Sequence, residues 1–289
     1  MYKTEVSIII PAYNEAATIG AIVFKIKELY PDFEIIVVND GSTDNTADIA
    51  KDAGAHVHSH PYNIGNGAAI KTGIRVARGD IMVFMDADNQ HNPEDIKKLL
   101  TYLPDYDMVV GSRSSGDQAS LGRTFGNTAY NWLASYVAKF YIPDLTSGFR
   151  SIKANIARNF LSLLPNTYSY PTTLTLCVLR SGRSVKYLPI NVLKRKTGKS
   201  RINIFKDGVR FLMIIIKICT LYSPLRVFLP VSVMMFILGS TNYLFSYLTQ
   251  GRFTNMSALL FIAFILIFMM GLVSEQICQM RFERSEGEK

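Results

Sequence analysis

Asp86-Ala-Asp88-Asn-Gln90 follows directly on the apolar run Ile81–Met85 and sets two carboxylates one residue apart. In extended chain, side chains at i and i+2 leave the backbone on the same side, so these two acids converge. Like charges so close repel unless a cation joins them. Oxygen ligands select a hard divalent ion, Mg²⁺ or Mn²⁺, whose shell is commonly completed by substrate phosphates and water. One of the acids could instead cap a helix starting at Pro93, but Asn92 can do that, which leaves both for a metal.

Two further segments carry polar groups at the ends of apolar runs. Pro11-Ala-Tyr-Asn-Glu15 follows Val6–Ile10, and Asn39-Asp-Gly-Ser-Thr-Asp44 follows Glu34–Val38. Gly41 and Ser42 suit a tight strand-to-helix turn, and Asp40 is placed to accept hydrogen bonds from a base or ribose. Asn63-Ile-Gly65-Asn-Gly67 opens another helix. It does not follow the first strand, so a Rossmann dinucleotide site is rejected, and no Walker motif is present. His56, His58 and His60 alternate as exposed imidazoles at a strand end, without the further ligands that zinc requires. His91 stands behind the acidic motif as a supporting group. Cys177, Cys219 and Cys278 form no CxxC pair and suggest a reducing compartment.

To position these groups, the first 110 residues must alternate strands and helices. Strands are predicted at Val6–Ile10, Glu34–Val38, Ala55–Ser59, Asp80–Met85 and Met108–Val110. Helices are predicted at Glu15–Leu29, Thr43–Asp52, Gly67–Ala77 and Pro93–Tyr102. Runs such as VSIII and IIVV lack alternation, as in a sheet covered on both faces. The expected fold class is an open α/β sheet with its ligand at the carboxyl ends of the strands.

The remainder of the chain is of a different kind. Of 289 residues, 48 % are hydrophobic and 19 % charged, with a net charge of +8. This excludes a disordered or collagen-like chain. Arg183–Lys217 contains ten basic residues and one acid, so the basic character is local and the rest of the chain is near neutral. A nucleic-acid partner is not expected; contact with anionic lipid headgroups or phosphates is. No charge interrupts the 25 residues between Arg226 and Arg252, or the 22 between Arg252 and Glu275. A membrane span needs about 20 apolar residues, and two are predicted, at about 227–248 and 256–274. Basic residues precede the first and follow the second, so the spans form a hairpin with both termini cytoplasmic. Lys206, Arg210 and Lys217 share one helix face, which predicts an interfacial amphipathic helix over 204–224. Gly239 and Ser240 offer close helix packing, an opening for homo-oligomers. No signal peptide is expected, since Val6–Ile10 is short and meets Pro11. The expected organisation is a catalytic domain at 1–203, the juxtamembrane helix at 204–224, the hairpin at 225–277 and a cytoplasmic tail at 278–289.

Taken together, PAYNE, NDGSTD, NxGxGAA, DADNQ and Gly111-Ser-Arg113, in that order and spacing, resemble a family 2 glycosyltransferase with a GT-A fold, an open mixed sheet. Asp144-Leu-Thr-Ser147-Gly148-Phe149-Arg150 and Arg195-Lys-Thr-Gly198-Lys-Ser200 extend the likeness to about residues 5–203. The two spans resemble those of polyprenyl-phosphate glycosyltransferases, such as dolichol-phosphate mannose and undecaprenyl-phosphate glucose synthases. Asn39 departs from the pattern, where many members have Asp. The resemblance implies that Pro11, Tyr13, Glu15, Val38, Asp40 and Ala87 hold the nucleotide sugar, and that Asp86, Asp88 and Gln90 ligate the metal. It implies that Arg113 and Arg123 bind the acceptor phosphate. Arg195, Lys196, Lys199 and Arg201 would close over the pyrophosphate, with Gly198 as a hinge. Asp144 is the carboxylate available as base or acceptor-orienting group.

The function so implied is inverting, metal-dependent transfer of a sugar from a UDP- or GDP-linked donor to polyprenyl phosphate at the cytoplasmic membrane face. The alternative is a membrane-anchored transferase acting on a sugar hydroxyl of a lipid-linked or polymeric glycan. A processive synthase would be expected to carry QxxRW and more spans. A non-catalytic scaffold would have lost the acidic pair. A transporter is excluded because two spans without intramembrane charge build no pathway.

Overall fold

All seven residues of Val6–Ala12 (β1) are buried, as is nearly all of Glu34–Asn39 (β2), because both strands lie inside a sheet covered on its two faces. The computed structural model describes residues 5–113, 131–166 apart from 133 and 137, 169–191 and 223–287. The chain forms two compact units, Met1–Phe211 and Leu212–Lys289.

In the first unit, β1 and β2 alternate with helices α1 (Ile19–Leu29) and α2 (Thr46–Asp52). The chain continues through β3 (His56–Ser59), α3 (Asn66–Val76), β4 (Ile81–Phe84), α4 (Asp95–Thr101) and β5 (Met108–Arg113). Then follow β6 (Arg150–Lys153), α5 (Ala154–Asn159), α6 (Tyr170–Arg180) and β7 (Val185–Ile190). The sheet order is β3-β2-β1-β4-β6-β5-β7. Only β6 is antiparallel to its neighbours, β4 and β5; the other pairings are parallel. The sheet is therefore mixed, with its direction of growth reversing between β1 and β4. Such a reversal leaves a crevice beyond the carboxyl ends of the strands. Ile8, Ile10, Val23, Ile26, Val37, Val83 and Phe149 form the core on one side. Each such side chain contributes about 1.5–3 kcal/mol by leaving water.

α1 begins at Ile19 rather than at the expected Glu15. The reason is local: the Glu15 amide donates to Thr46 Oγ1 at 2.9 Å, and the Thr18 hydroxyl donates to the Ala87 carbonyl at 2.7 Å. Residues 15–18 are thus recruited to join loops and cannot continue the helix. α4 begins at Asp95 with Glu94 at its N-cap, not at the expected Pro93; Asn92 lies outside the helix and its side chain accepts the Glu94 amide at 3.1 Å, holding the turn that leads into it.

Asp107 ties three strands together. Its carboxylate accepts from the Ser184 amide and hydroxyl, both at 3.0 Å, and from Lys153 Nζ at 3.0 Å. Burial alone would raise this carboxyl, but the bonds from Ser184 and Lys153 outweigh it and hold it below its ordinary value. The stabilisation is therefore present above the unfolded-state value, about 3.9, and is lost as pH falls through the lower folded value. Asp107→Ala should cost about 1–3 kcal/mol at neutral pH. Thermal unfolding in mild detergent should show that the deficit relative to wild type shrinks on acidification.

The second unit contains α7 (Leu225–Gln250) and α8 (Asn255–Gly287). Leu225–Gln250 and Asn255–Met280 are each long and apolar enough to cross a membrane. Their contact is close: a side-chain carbon on Gly239 would lie 3.2 Å from Leu260 Cβ. Gly239 is consequently buried within the hairpin. Glu275 of α8 accepts the Leu225 amide and the Ser223 hydroxyl, both at 3.2 Å, capping the start of α7. At the other end, Asn242 Oδ1 accepts from Ser257 Oγ at 2.9 Å and Thr254 Oγ1 at 3.2 Å. The expected amphipathic helix at 204–224 lies almost wholly outside the described residues.

Candidate active site

The turns leaving β1 and β2 are laced together. Asn14 N donates to Ser42 Oγ at 3.0 Å, Thr43 N donates to Asn14 Oδ1 at 2.8 Å, and Ala16 N donates to Asp44 Oδ2 at 3.2 Å. Asn14 adopts φ 53°, a left-handed conformation that asparagine tolerates best after glycine. Gly41, at φ 69°, runs so close to Tyr62 that any side-chain carbon would lie 2.4 Å from that residue's carbonyl carbon. Burial would raise the Asp44 carboxyl, but Thr46 and the Ala16 amide donate to it and bring it below its ordinary value.

Beyond these turns lies a cleft of about 410 Å³, lined by Pro11, Ala12, Tyr13, Glu15, Asp40, Asn63, Asn66, Asp86, Ala87 and Asp88. It occupies the crevice between β1 and β4. Seven of these ten residues are ones singled out from the sequence. Val38 is not among them: it is fully buried in β2, paired with Pro11 and His58, and offers no accessible side chain to a ligand. Asn63 and Asn66 were not assigned a role, although the Gly-rich segment containing them was conspicuous. Asn66 Oδ1 is buried without a hydrogen-bond partner, and α3 starts at this residue.

Asp40 is more constrained than its sequence position suggested. Its carboxylate accepts the Ile64 amide at 2.9 Å and the Gly65 amide at 2.8 Å. His60 Nδ1 lies 2.7 Å from Asp40 Oδ1, and His60 Nε2 lies 2.9 Å from Thr72 Oγ1. The expectation of an exposed imidazole is corrected here: the His60 side chain is 11 % exposed and bridges Asp40 to α3. Asp40 therefore shapes the cleft by fixing the turn that begins α3.

The acidic motif bends where β4 ends. Asn89 takes φ 59°, and the Gln90 amide folds back onto Asp88 Oδ1 at 3.2 Å. The segment 144–150 wraps around this bend. Gly148 presses against Asp86 so closely that a side-chain carbon there would lie 2.6 Å from Asp86 Oδ2. Phe149 stacks on His91 with ring centroids 4.9 Å apart. Ser147 Oγ donates to the Gly111 carbonyl at 2.5 Å. Arg150 is fully buried; its guanidinium donates to the carbonyls of Pro171 and Ser147 and to Thr175 Oγ1. It thereby pins the backbone that carries Gly148. Burial pushes the His91 imidazole down to about 4, against the attraction of Asp88, so His91 is neutral at pH 7.

Asp144 holds Arg113. Its Oδ2 accepts Arg113 Nε at 2.9 Å, and its Oδ1 accepts the Thr146 amide at 3.1 Å and hydroxyl at 3.0 Å. Arg113 Nη2 also donates to Thr146 Oγ1 at 2.9 Å. This carboxylate orients an arginine; with both oxygens engaged it is poorly suited to the other role expected of it, a base. Arg123, Arg195, Lys196, Lys199 and Arg201 lie outside the described residues.

Among the described residues no cluster of three or more His, Cys, Asp or Glu side chains could hold a metal alone. Two carboxylates beside an open cleft nevertheless fit a hard divalent ion that draws its remaining ligands from substrate phosphates. Gly148 supports that fit, because the space its missing side chain leaves is occupied by the Asp86 carboxylate.

Comparison with known proteins agrees with this architecture. Residues 7–161 match Glycosyl transferase family 2, and residues 223–280 match the GtrB C-terminal hairpin. An uncharacterised protein of Methanocaldococcus jannaschii is 31 % identical over 210 residues, covering 69 % of this chain and 86 % of that one. The undecaprenyl-phosphate mannosyltransferase of Micrococcus luteus is 28 % identical, covering 68 % and 86 %. The polyprenol monophosphomannose synthase of Mycolicibacterium smegmatis is 30 % identical, covering 68 % and 80 %. Among solved structures, glucosyl-3-phosphoglycerate synthase of Mycobacterium tuberculosis, with Mn²⁺, UDP and product, shares the fold. Its TM-score is 0.59 at 22 % identity, over 74 % of this chain and 78 % of that one.

Proposed function

Because this chain belongs to glycosyl transferase family 2, it is a glycosyltransferase, and we propose that it transfers a sugar from a UDP- or GDP-linked donor to polyprenyl phosphate, inverting the anomeric carbon. The observation that carries this reading is the cleft at the strand ends that gathers Asp86 and Asp88 with Tyr13, Glu15 and Asp40; Arg113, held by Asp144 and Thr146, is the preorganised cation offered to the acceptor phosphate. The relatives named for undecaprenyl-phosphate and polyprenol substrates support the acceptor class.

In this reading Pro11, Tyr13, Glu15, Ala87 and Asn66 receive the nucleoside, with Asp40 fixing the turn at Ile64–Gly65. Asp86, Asp88 and Gln90 would hold Mg²⁺ or Mn²⁺. Such a cation, when bound, neutralises charge on the departing nucleoside diphosphate. Its use by this protein is supported by fold neighbours crystallised with Mn²⁺ or Mg²⁺ and UDP. Arg113, with Arg123, holds the acceptor phosphate through charge-assisted bonds. Arg195, Lys196, Lys199 and Arg201 cover the donor diphosphate. A phosphate oxygen attacks the anomeric carbon as the bond to the diphosphate breaks. A phosphate monoester, with a second pKa of about 6, is already largely ionised at neutral pH. No strong base is then required, which agrees with Asp144 being committed to Arg113 and Thr146. Both termini and the catalytic unit lie on the cytoplasmic side, with α7 and α8 spanning the bilayer.

The test is a donor screen of the full chain with undecaprenyl or dolichyl phosphate, Mg²⁺ or Mn²⁺, and mass spectrometry of the lipid extract. A polyprenyl-monophosphate sugar is expected. Sugar appearing only in water-soluble glycan would replace this reading with transfer to a sugar hydroxyl. Arg113→Met should raise the acceptor KM about 10- to 100-fold, the value of a lost hydrogen bond between charged groups. Donor hydrolysis in steady-state assays should be nearly unchanged.

A further inference from the structure

Trp132 is the chain's single tryptophan, and it is 67 % exposed. Tyr136 stacks on it at 6.1 Å between ring centroids, and Phe140 and Tyr141 extend the exposed surface. Residues 132 and 136 are both helical and four positions apart, so they share one side; the helix ends at Lys139, which takes φ 50°, and Phe140 beyond it sets its ring beside Tyr187, 6.5 Å between centroids. The other side is fastened to the protein. Ala134 is buried, Asn131 Nδ2 donates to the Pro143 carbonyl at 2.7 Å, and Asn131 Oδ1 accepts the Leu145 amide at 3.1 Å. Ser135 Oγ accepts the Ile142 amide at 3.0 Å. A surface helix normally turns its apolar stripe inward. Here polar groups do the anchoring, so the aromatic side cannot roll into the core.

We propose that this aromatic face, Trp132, Tyr136 and the neighbouring Tyr141, docks on the headgroup region of the lipid bilayer. Tryptophan and tyrosine combine an apolar ring with one polar atom, which suits the membrane–water boundary better than water or hydrocarbon. Charge agrees: residues 118–143 contain no Asp or Glu, and Lys139 stands exposed beside the rings, complementary to anionic headgroups. Connectivity agrees as well. Asn131 holds Pro143 and Leu145, the residues on either side of Asp144, which in turn holds Arg113. Seating the face on lipid would set the acceptor-binding arginine at headgroup level. The inference rests on the membrane reading given above.

The experiment uses Trp132 as its own reporter, in the full chain reconstituted into phosphatidylcholine–phosphatidylglycerol vesicles with or without acyl-brominated phosphatidylcholine. Interfacial side chains sit roughly 5–10 Å into the headgroup boundary, so brominated lipid should lower emission about twofold. Emission should also be blue-shifted and insensitive to iodide. Red-shifted emission quenched by iodide but not by bromine would overturn the proposal, as would blue-shifted emission indifferent to both, which would mean a protein covers the face. The control is Trp132→Phe/Ile237→Trp, which moves the reporter into α7. Bromine quenching there but not at Trp132 overturns the docking face alone; no quenching at either position overturns the membrane reading and the proposal with it.

Discussion

Replacing Asp88 by alanine will lower turnover about a thousandfold while leaving the fold in place. The magnitude is that of deleting one preorganised electrostatic partner of a developing charge. The expectation of an intact fold comes from position. Asp88 lies after β4 ends and is half-buried, and its carboxylate accepts the amide of Gln90 two residues on. The checks are kcat with saturating donor and acceptor, a thermal unfolding curve, and Mn²⁺ binding by electron paramagnetic resonance. An Asp88→Ala protein with near-normal turnover would remove the metal from the mechanism. A protein with lowered unfolding temperature and normal Mn²⁺ affinity would make Asp88 structural.

The second large effect is expected at Gly148→Ala. The new methyl would lie 2.6 Å from Asp86 Oδ2 and 3.1 Å from its Cγ. Relief requires the half-buried Asp86 carboxylate to turn aside, an overpacking that should cost about 1–3 kcal/mol of stability and leave the protein folded. Relief is costly for chemistry, because that rotation takes the carboxylate out of its place beside Asp88. A displacement of about 1 Å at a reacting centre can cost about a hundredfold in rate. Gly148→Ala is therefore expected to lose about two orders of magnitude in kcat in a protein that still folds, as a thermal unfolding curve would show. Wild-type rates would show that the orientation of Asp86 has no bearing on catalysis.

These two positions mark how far the sequence could be read. Asp86 and Asp88 are evident from a two-residue spacing after an apolar run, and short β-rich runs mark β1 to β5. Gly148 could be seen as part of a motif, but its contact with Asp86 joins positions 62 residues apart and has no local signature. The same holds for Arg150, a charged side chain made fully buried by carbonyls and a hydroxyl from α6 and the preceding loop. The antiparallel strand β6 is only four residues long and carries Arg150 and Lys153, so no apolar run announced it. His60 was misread because alternation suggested a solvent-facing edge, whereas the strand ends at Ser59 and the next residue turns back onto Asp40. The start of α1 was misplaced because Glu15 and Thr18 are engaged with other loops, which helical periodicity cannot register.

The lacing between the Asn14 turn and the Ser42–Asp44 turn makes the two a single unit for any redesign of the cleft they border. Side chains of each turn satisfy amides of the other, so changes in the two will be strongly non-additive. Grafting either turn alone from a homologue would strand donors and acceptors on its partner. The pair must be transplanted as one cassette.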